Sequence, residues 1–273
     1  MLPKFQQFAR ERQMLMGVSP ATLSWYKYSL MWLNSESPSQ EDLKDAVCRM
    51  REKGLKATGC NSAIRAINAY LKWSGSPNHI KQMKEPQIIL PTFTSAQVKL
   101  LVSWKPKTFY ERRLHLMVCT LFDTGARISE VLGLHVADCD LDNLLVTLDG
   151  KGSKQRRVPF SFELRKVLAR YATDFDLQPH MLLLSTRRGL KLDRHIMLRD
   201  TKLLCERLGF TPPARTLHAT RHTFAINYLR KGGSVFHLQK VLGHSSLEMT
   251  RRYANLMTED LSAIHQKVSL LAA

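Results

Sequence analysis

Hydrophobic residues recur at helical spacing through the first quarter of the chain. Four such segments, at about 2–16, 20–34, 40–53 and 58–73, are separated by short breaks that hold glycine, serine or proline. Apolar positions three and four residues apart lie on one face of a helix, so each segment predicts an amphipathic helix. Four helices joined by short loops predict a small all-α bundle over residues 1–75.

The helical pattern stops at residues 76–92. This stretch contains three prolines and has little periodicity, which indicates a linker. Residues 93–273 predict a second domain, in which helical segments resume at about 95–104 and 109–123. Ser95 is the expected N-cap of the first of these helices, because its hydroxyl can accept a hydrogen bond from the first turn.

A different periodicity marks residues 135–160. Leu144, Val146 and Leu148 alternate with polar positions, and Arg157–Pro159 closes a second strand-like run. The glycine-rich sequence GKGSK lies between the two runs, so the segment predicts a β-hairpin. Helical spacing returns after the hairpin. We therefore expect a mainly α chain with a small β-sheet or hairpin.

The chain has an excess of positive charge, which indicates a negatively charged partner. The 273 residues include 41 Lys and Arg against 23 Asp and Glu, a formal net charge of +18. The excess is +6 in residues 1–91, from 13 basic and 7 acidic residues, and +12 in residues 92–273, from 28 and 16. Basic charge spread over both domains predicts a polyanion gripped by both, as DNA is by a clamp. On charge alone, a generically basic protein and a partner made of RNA or anionic lipid stay open.

Several classes of protein are disfavoured by what the sequence lacks. No apolar run approaches the length of a transmembrane helix, and the N-terminus has no signal-peptide core. No P-loop, HExxH motif or acidic metal pair is present, so we expect neither nucleotide nor metal as a cofactor. The five cysteines are scattered, as expected of reduced thiols in a cytosolic protein; they are Cys48, Cys60, Cys119, Cys139 and Cys205.

The last third of the chain carries the candidate chemistry. His218 and Arg221 are three residues apart, so they share one face of a helix. Ser234 is a suitable N-cap for a following helix that ends at Gly243, and His244 lies just beyond that end.

A third helical pattern follows. Ser245 and Glu248 match a capping box, which would start a helix with Tyr253 near its end. A tyrosine oxygen can attack a phosphodiester if the growing phosphate charge is neutralised and protons move to and from the reacting oxygens. Arginine neutralises phosphate, histidine shuttles protons and tyrosine is a covalent nucleophile, so the residue types fit this reaction.

These motifs resemble a known family in order and spacing. The sequences HATR, LGHSS and RRYANL are similar to the C-terminal motifs of the tyrosine recombinases, the phage integrase family: H-x-x-R, then L-G-H, then a Tyr nine residues after the His. Here His244 lies 26 positions after His218, and Tyr253 lies nine positions after His244, as in Xer-like simple recombinases. Upstream, TGARISE resembles the family's first arginine motif, T-G-x-R-x-S-E.

The resemblance implies a fold for each domain. Residues 1–75 would form a four-helix core-binding domain of the SAM-like type, and residues 93–273 a mixed α/β tyrosine recombinase catalytic domain. Residues 76–92 would be the linker between two halves of a clamp around duplex DNA.

The resemblance also implies catalytic roles. Arg127, Arg221 and His244 would bind and neutralise the scissile phosphate, while His218 would assist proton movement at the tyrosine. Tyr253 would attack and form a covalent 3′-phosphotyrosine, which conserves the phosphodiester energy. The implied catalytic residues are Arg127, Lys151, His218, Arg221, His244 and Tyr253.

The lysine assignment has a competitor. The family places its catalytic lysine on a β-hairpin, and 24 residues separate Arg127 from Lys151 in the GKGSK turn. Such a lysine would enter the minor groove and protonate the leaving 5′ oxygen. Lys154 is the alternative, and a hairpin that only grips the phosphate backbone is the third interpretation.

Three further features carry lesser expectations. Glu130 is expected to support Arg127 through an ion pair, in a structural role. His222 is expected to pack or to support other residues, because its direction on the helix is expected to differ from that of His218. A C-terminal apolar stripe is expected to pack into a neighbouring protomer, as is frequent in the family, or within its own chain. The stripe comprises Leu261, Ile264, Val268 and Leu271.

The favoured function is therefore site-specific DNA recombination, in integration, excision or dimer resolution. A tetramer on two double-stranded core sites, one dimer per site, would exchange strands through a Holliday junction in the cytoplasm, associated with the nucleoid. An accessory DNA-bending protein or a partner recombinase is an open addition. From the length of the chain we expect no further arm-binding domain, which favours the simple class of recombinase. The alternatives are a type IB topoisomerase and a catalytically silent DNA-binding relative.

Overall fold

The computed structural model describes residues 2–86, 91–150, 155–244, 246–247, 250 and 253. The chain divides into two compact units, Met1–Ile88 and Ile89–Ala273. Both are built mainly from helices, and the second also contains a small antiparallel sheet. The fold class expected from the hydrophobic pattern is therefore confirmed. Among the described residues, no helix combines the length and the apolar character that a membrane crossing requires.

The described part of the first unit contains four helices, as the periodicity predicts. They are α1 Pro3–Met16, α2 Pro20–Leu30, α3 Gln40–Glu52 and α4 Ala57–Trp73. The side chain of Ser19 accepts a hydrogen bond from Thr22 N at the start of α2, and Ser39 forms a capping box with Asp42 at the start of α3. Hydroxyl and carboxylate caps satisfy backbone N–H groups that have no partner inside the helix, so the sequence sets where these helices begin.

Aromatic rings form the centre of the first unit. Phe5 and Phe8 of α1 pack edge-to-face against Tyr70 of α4, with ring centroids 4.7 and 5.6 Å apart. The buried hydroxyl of Tyr70 donates to the carbonyl of Glu36, so the polar end of the ring keeps a partner.

Part of the segment after α4 packs on the same unit. The side chain of Asn61 donates to the carbonyl of Met83 and accepts from its N–H, and Asn68 makes the same pair of hydrogen bonds with Ile80. Ile80 and Met83 also contact the apolar core of the first unit. The side-chain amides of Asn61, which is buried, and Asn68, which is half-buried, thus hold part of the predicted linker against α4.

Seven helices and a 3₁₀ turn belong to the described part of the second unit. They are α5 Ser95–Ser103, α6 Phe109–Thr124, α7 Ile128–Val131, the 3₁₀ turn Val136–Asp138, α8 Phe162–Asp174, α9 Arg194–Arg207, α10 Thr216–Arg230 and α11 Val235–Leu242. The expected cap of α5 was wrong by one residue. Thr94, rather than Ser95, accepts from Gln97 N and completes a capping box with the Gln97 side chain.

The sheet is a three-stranded antiparallel arrangement in the order β1-β2-β3. Its strands are β1 Cys139–Asp140, β2 Leu145–Asp149 and β3 Gln155–Pro159. Val146 pairs with Val158, and Leu148 pairs with Arg156. The predicted hairpin is thus confirmed as β2 and β3, while the short β1 was not predicted. The turn residues 151–154 lie outside the described residues.

Helix α6 lies in the middle of the second unit. It packs against α5, α8, α9 and α10, and Leu116, Met117 and Leu121 are fully buried in the core. The buried faces of β2 and β3 close the same core with Val146, Leu148 and Val158. Because α6 ends at Gly125, the packing of this helix sets the position of the residues that follow it.

Two adjacent leucines of α5 test this core assignment. Leu101 is 0% exposed and Leu100 is 45% exposed. Leu101→Ala should lower the free energy of unfolding by roughly 2–5 kcal/mol, because it removes buried surface and leaves a cavity. Leu100→Ala should change it by less than about 0.5 kcal/mol. Urea denaturation followed by circular dichroism measures both, and equal losses would contradict the assignment.

Candidate active site

A glycine turn positions the first arginine. Gly125 ends α6 in the left-handed conformation, with φ +63°, and Arg127 follows as the N-cap of α7. A Cβ at position 125 would lie 2.3 Å from a ring carbon of Phe224 on α10. Both the backbone conformation and the close contact therefore require glycine here. The turn leaves the Arg127 side chain 35% exposed.

One buried carboxylate joins two arginines. The Glu130 side chain is 3% exposed, and its Oε1 accepts from Nη1 of Arg127 at 2.9 Å. Arg156 of β3 donates Nη1 and Nη2 to the two oxygens of the same carboxylate, at 2.9 and 2.8 Å. Burial alone would raise the pKa of Glu130, but the hydrogen bonds from Arg156 and from Arg127 outweigh it and lower the pKa to about 2. The expected ion pair of Glu130 with Arg127 is confirmed.

The second arginine lies inside the protein. Arg221 of α10 is buried, and it donates Nη1 to the carbonyl of Gly125 at 2.8 Å and Nη2 to the carbonyl of Leu242 at 2.5 Å. Burial and the neighbouring charge of Arg127 lower its pKa to about 10, so it stays charged at neutral pH. Arg221 thereby ties the turn before Arg127 to the last residue of α11.

Helix α11 presents His244 just beyond its end, as the caps predict. Ser234 accepts from Phe236 N at the start, and Gly243 ends the helix with φ +64°. The Nδ1 atom of His244 lies 2.9 Å from Oγ1 of Thr250. Burial and the charge of Arg221 lower the pKa of His244 to about 4, so its ring is neutral at neutral pH.

The tyrosine of the third motif is buried between two histidines. Tyr253 is 4% exposed, and its ring stacks on that of His244 with centroids 6.2 Å apart and planes 10° apart. Its Oη lies 2.9 Å from Nδ1 of His222. Burial and the proximity of His218 lower the pKa of His222 to about 4, which leaves a neutral ring able to accept a proton.

The direction of His222 on α10 was predicted wrongly, whereas its expected supporting role is compatible with the contact to Tyr253. The expectation that it points away from His218 was wrong, because residues four apart on a helix lie on nearly the same face. The spacing in the sequence was the signal that should have placed both imidazoles together. His218 lies in the first turn of α10 and is exposed, and partial desolvation followed by the charge of Arg194 lowers its pKa.

Five of the six implied catalytic residues therefore meet in one region. The electrostatic contacts join Arg127, Arg221, His244, His218 and Tyr253. The sixth, Lys151, lies outside the described residues, as do the alternative Lys154, the Ser245–Glu248 capping box and the C-terminal apolar stripe.

This arrangement has a definite chemical capacity. Two permanently charged arginines can hold an anion, and neutral imidazoles can accept a proton from a hydroxyl beside them. Across the described ranges, no group of three or more His, Cys, Asp or Glu side chains is placed to hold a metal ion. An anion bound by arginines beside a tyrosine and histidines would be suited to transesterification of a phosphodiester.

Comparison with known proteins identifies the family. Residues 91–260 match the model of the phage integrase family. The chain is 31% identical over 269 residues to tyrosine recombinase XerA of Thermococcus kodakarensis, covering 94% of this chain and 92% of the relative. It is 30% identical over 241 residues to tyrosine recombinase XerC of Brucella melitensis, covering 83% and 76%. The chain belongs to the phage integrase family and is a tyrosine-type site-specific recombinase.

Solved structures establish the same fold at lower identity. The Tn1549 transposon integrase in complex with transposon right end DNA matches with a TM-score of 0.75 at 20% identity, over 100% of both chains. The XerH recombinase bound to its difH substrate matches with a TM-score of 0.70 at 17% identity, over 95% of this chain and 82% of that one. The mainly helical architecture with a small sheet is therefore that of the tyrosine recombinases.

The depressed pKa of Glu130 predicts how stability depends on pH. A folded-state pKa of about 2, below the ordinary 4.5, gives stability that is present above about pH 4.5 and is lost as the pH falls through about 2. The wild-type chain should exceed Glu130→Gln by about 3 kcal/mol in free energy of unfolding near pH 7, and this difference should shrink as the pH falls below about 4.5. Urea denaturation at a series of pH values measures it. The exposed Glu206→Gln is the control, and a pH-independent difference would refute the pairing.

Proposed function

We propose that this protein exchanges DNA strands at specific sites through a covalent 3′-phosphotyrosine on Tyr253. The observation that carries the proposal is the grouping of Arg127, Arg221, His244 and Tyr253 at one site, with two histidines beside the tyrosine. The tyrosine oxygen would attack the phosphorus, the bond to the 5′ oxygen would break, and the departing strand would leave with a 5′-hydroxyl. The 5′-hydroxyl of a second cleaved strand would then attack the phosphotyrosine, which re-forms a phosphodiester and releases the tyrosine. No ATP is therefore required.

The arginines would bind the scissile phosphate. Arg127 is partly exposed and paired with Glu130, and it would bind an incoming anion from its exposed side. Arg221 is committed to two carbonyls, and its buried charge would act on the phosphate at short range, where water screens it little. His244 would donate a hydrogen bond to a non-bridging oxygen.

Two histidines are candidates for the proton of Tyr253. Family resemblance assigns this role to His218, but the contact of 2.9 Å between Tyr253 Oη and Nδ1 favours His222. A neutral imidazole in hydrogen-bond contact with the hydroxyl can accept its proton, and the negative phosphate nearby would stabilise the imidazolium that forms. Tyr253 is nearly fully buried here, so attack also requires the tyrosine to become accessible to DNA.

The leaving oxygen needs a proton of its own. We assign it to Lys151 on the β2–β3 hairpin, with Lys154 as the alternative. A lysine at the tip of a hairpin can follow the minor groove and reach the 5′ oxygen, which the arginines neutralise but cannot protonate at neutral pH.

Double-stranded DNA is the proposed partner. The net charge of +18 is spread over both units, and matched structures include an integrase with transposon end DNA and a recombinase bound to its substrate site. Residues 1–75 would grip the core site from one side and residues 93–273 would cleave it, with 76–92 as the linker. A dimer per site and a tetramer on two sites would exchange strands through a Holliday junction near the nucleoid.

A nicked suicide substrate tests the proposal. Without metal or ATP, the wild-type chain should form a covalent protein–DNA band on a denaturing gel, because the cleaved strand diffuses away and traps the tyrosyl link. Tyr253→Phe should form none while its DNA affinity stays within about twofold, since only the nucleophilic oxygen is lost. A band that survives in Tyr253→Phe would refute the nucleophile. Relaxation of supercoiled DNA without exchange between two sites would indicate a topoisomerase.

The pH dependence of cleavage tests the role of His222. On the same substrate at pH 7, His222→Asn should slow cleavage on the order of 100-fold, because the tyrosine loses its proton acceptor. The loss should narrow as the pH rises, because hydroxide in solution can then take the proton of the tyrosine without an imidazole. His218→Asn serves as the matched variant four residues earlier on α10. If His218→Asn carries the pH-dependent loss and His222→Asn cleaves like wild type, His218 is the acceptor.

A further inference from the structure

Arg156 is a charged residue that the proposed chemistry leaves unexplained. It lies on β3, where side chains alternate between the core and solvent, and it shares the inward face with the fully buried Val158. Its side chain is only 12% exposed. A cation on the inward face of a strand is costly unless its charge is matched, so its partners indicate its role.

The partners of Arg156 belong to two other segments of the candidate active site. Nη1 and Nη2 bind both oxygens of Glu130, and Nε donates to the carbonyl of Val241 at 2.8 Å. Val241 is in the last turn of α11, three residues before His244. The absence of a side chain at Gly243 makes room for this contact, because a Cβ there would lie 3.0 Å from Cδ of Arg156.

The contact between Arg156 and Glu130 changes the net charge around Arg127. Glu130 is ionised and carries one negative charge, which two arginines share. Arg156 takes both oxygens in a bidentate pair, whereas Arg127 contributes Nη1 and its backbone N–H. With Arg156 present, the three groups sum to one positive charge. Without it, the charges of Arg127 and the buried Glu130 would cancel, and this pair would present no net charge to the phosphate.

We propose that Arg156 is a positioning residue that keeps Arg127 available for the scissile phosphate by compensating the charge of Glu130. The same side chain fixes the end of α11, and with it the start of the segment that carries His244. Arg156 acts through Arg127 and does not itself contact DNA. This inference rests on the proposed function, since it assumes that Arg127 binds the phosphate that is cleaved.

Four variants separate compensation of charge from mere support of the fold. Arg156→Gln should slow cleavage of the suicide substrate at saturating DNA on the order of 10- to 100-fold. Arg156→Lys keeps the positive charge but loses the bidentate geometry, and it should retain more activity than Arg156→Gln. Adding Glu130→Gln to Arg156→Gln should restore at least several-fold of the rate, because Arg127 is then released from the carboxylate.

The control is the next residue on the same strand. Arg157 is exposed on the opposite face of β3, so Arg157→Gln removes one positive charge without touching Glu130. It should keep the wild-type cleavage rate at saturating DNA. Thermal unfolding of every variant reports whether the fold survives. A double variant no faster than Arg156→Gln, or a Lys variant as slow as the Gln variant, would overturn the compensation of charge.

A second readout does not depend on cleavage. Inorganic phosphate should raise the melting temperature of the wild-type chain by binding between the arginines. The part of this increase that is lost in Arg127→Gln measures phosphate binding at the site. This site-specific increase in melting temperature should be smaller in Arg156→Gln and unchanged in Arg157→Gln. It should be restored in the variant that combines Arg156→Gln with Glu130→Gln. If the wild-type chain forms no covalent complex, the proposed function fails, and the phosphate response alone decides the role of Arg156. A response equal in all variants would refute it.

Discussion

The buried carboxylate of Glu130 is the interaction on which the active-site architecture depends. It is ionised inside the protein, and an ionised group there is tolerable only if it is paired and hydrogen-bonded. Its two arginines come from the turn after α6 and from β3, which are separated by 29 positions in the chain. Satisfying one carboxylate therefore fixes the hairpin against the arginine turn, and removing one partner of such a buried pair typically costs about 3–5 kcal/mol.

The same region is organised so that its histidines are neutral. Burial and the surrounding arginines lower the pKa values of His222 and His244 to about 4. The permanent positive charge is thus carried by guanidinium groups, which do not lose their protons near pH 7, while a neutral imidazole can accept a proton or donate a hydrogen bond. Separate groups for positive charge and for proton transfer suit a reaction in which phosphate charge must be neutralised and protons must move within one site.

Backbone carbonyls tie the elements together as much as side chains do. Arg221 binds the carbonyls of Gly125 and Leu242, and Arg156 binds that of Val241, so two neighbouring carbonyls at the end of α11 each hold a different arginine. Carbonyl groups in the last turn of a helix have no partner within it and carry partial negative charge. The C-terminal end of α11 therefore favours binding of cations. His244, two residues after the end of α11, lies near these arginines.

Sequence patterns alone predict the helices of the first unit, the hairpin, and the motifs that contain Arg127, His218, Arg221, His244 and Tyr253. These features depend on local periodicity, caps and spacing, which are written in consecutive residues. The fold class and family inferred from them are confirmed. Local rules also set the glycine turns at Gly125 and Gly243, where a left-handed backbone ends a helix.

The partner of each polar group depends on the tertiary structure. Alternation along β3 put Arg156 on the same face as Val158 and so signalled a buried cation, but no local rule names Glu130 and Val241 as its partners. Helical spacing likewise put His222 near His218, yet its contact with Tyr253 depends on how the chain returns 31 residues later. Such contacts depend on the packing of distant segments, because a buried charge is stable only where the fold brings a partner to it. The spacing of residues in the sequence does not show which distant segment supplies that partner.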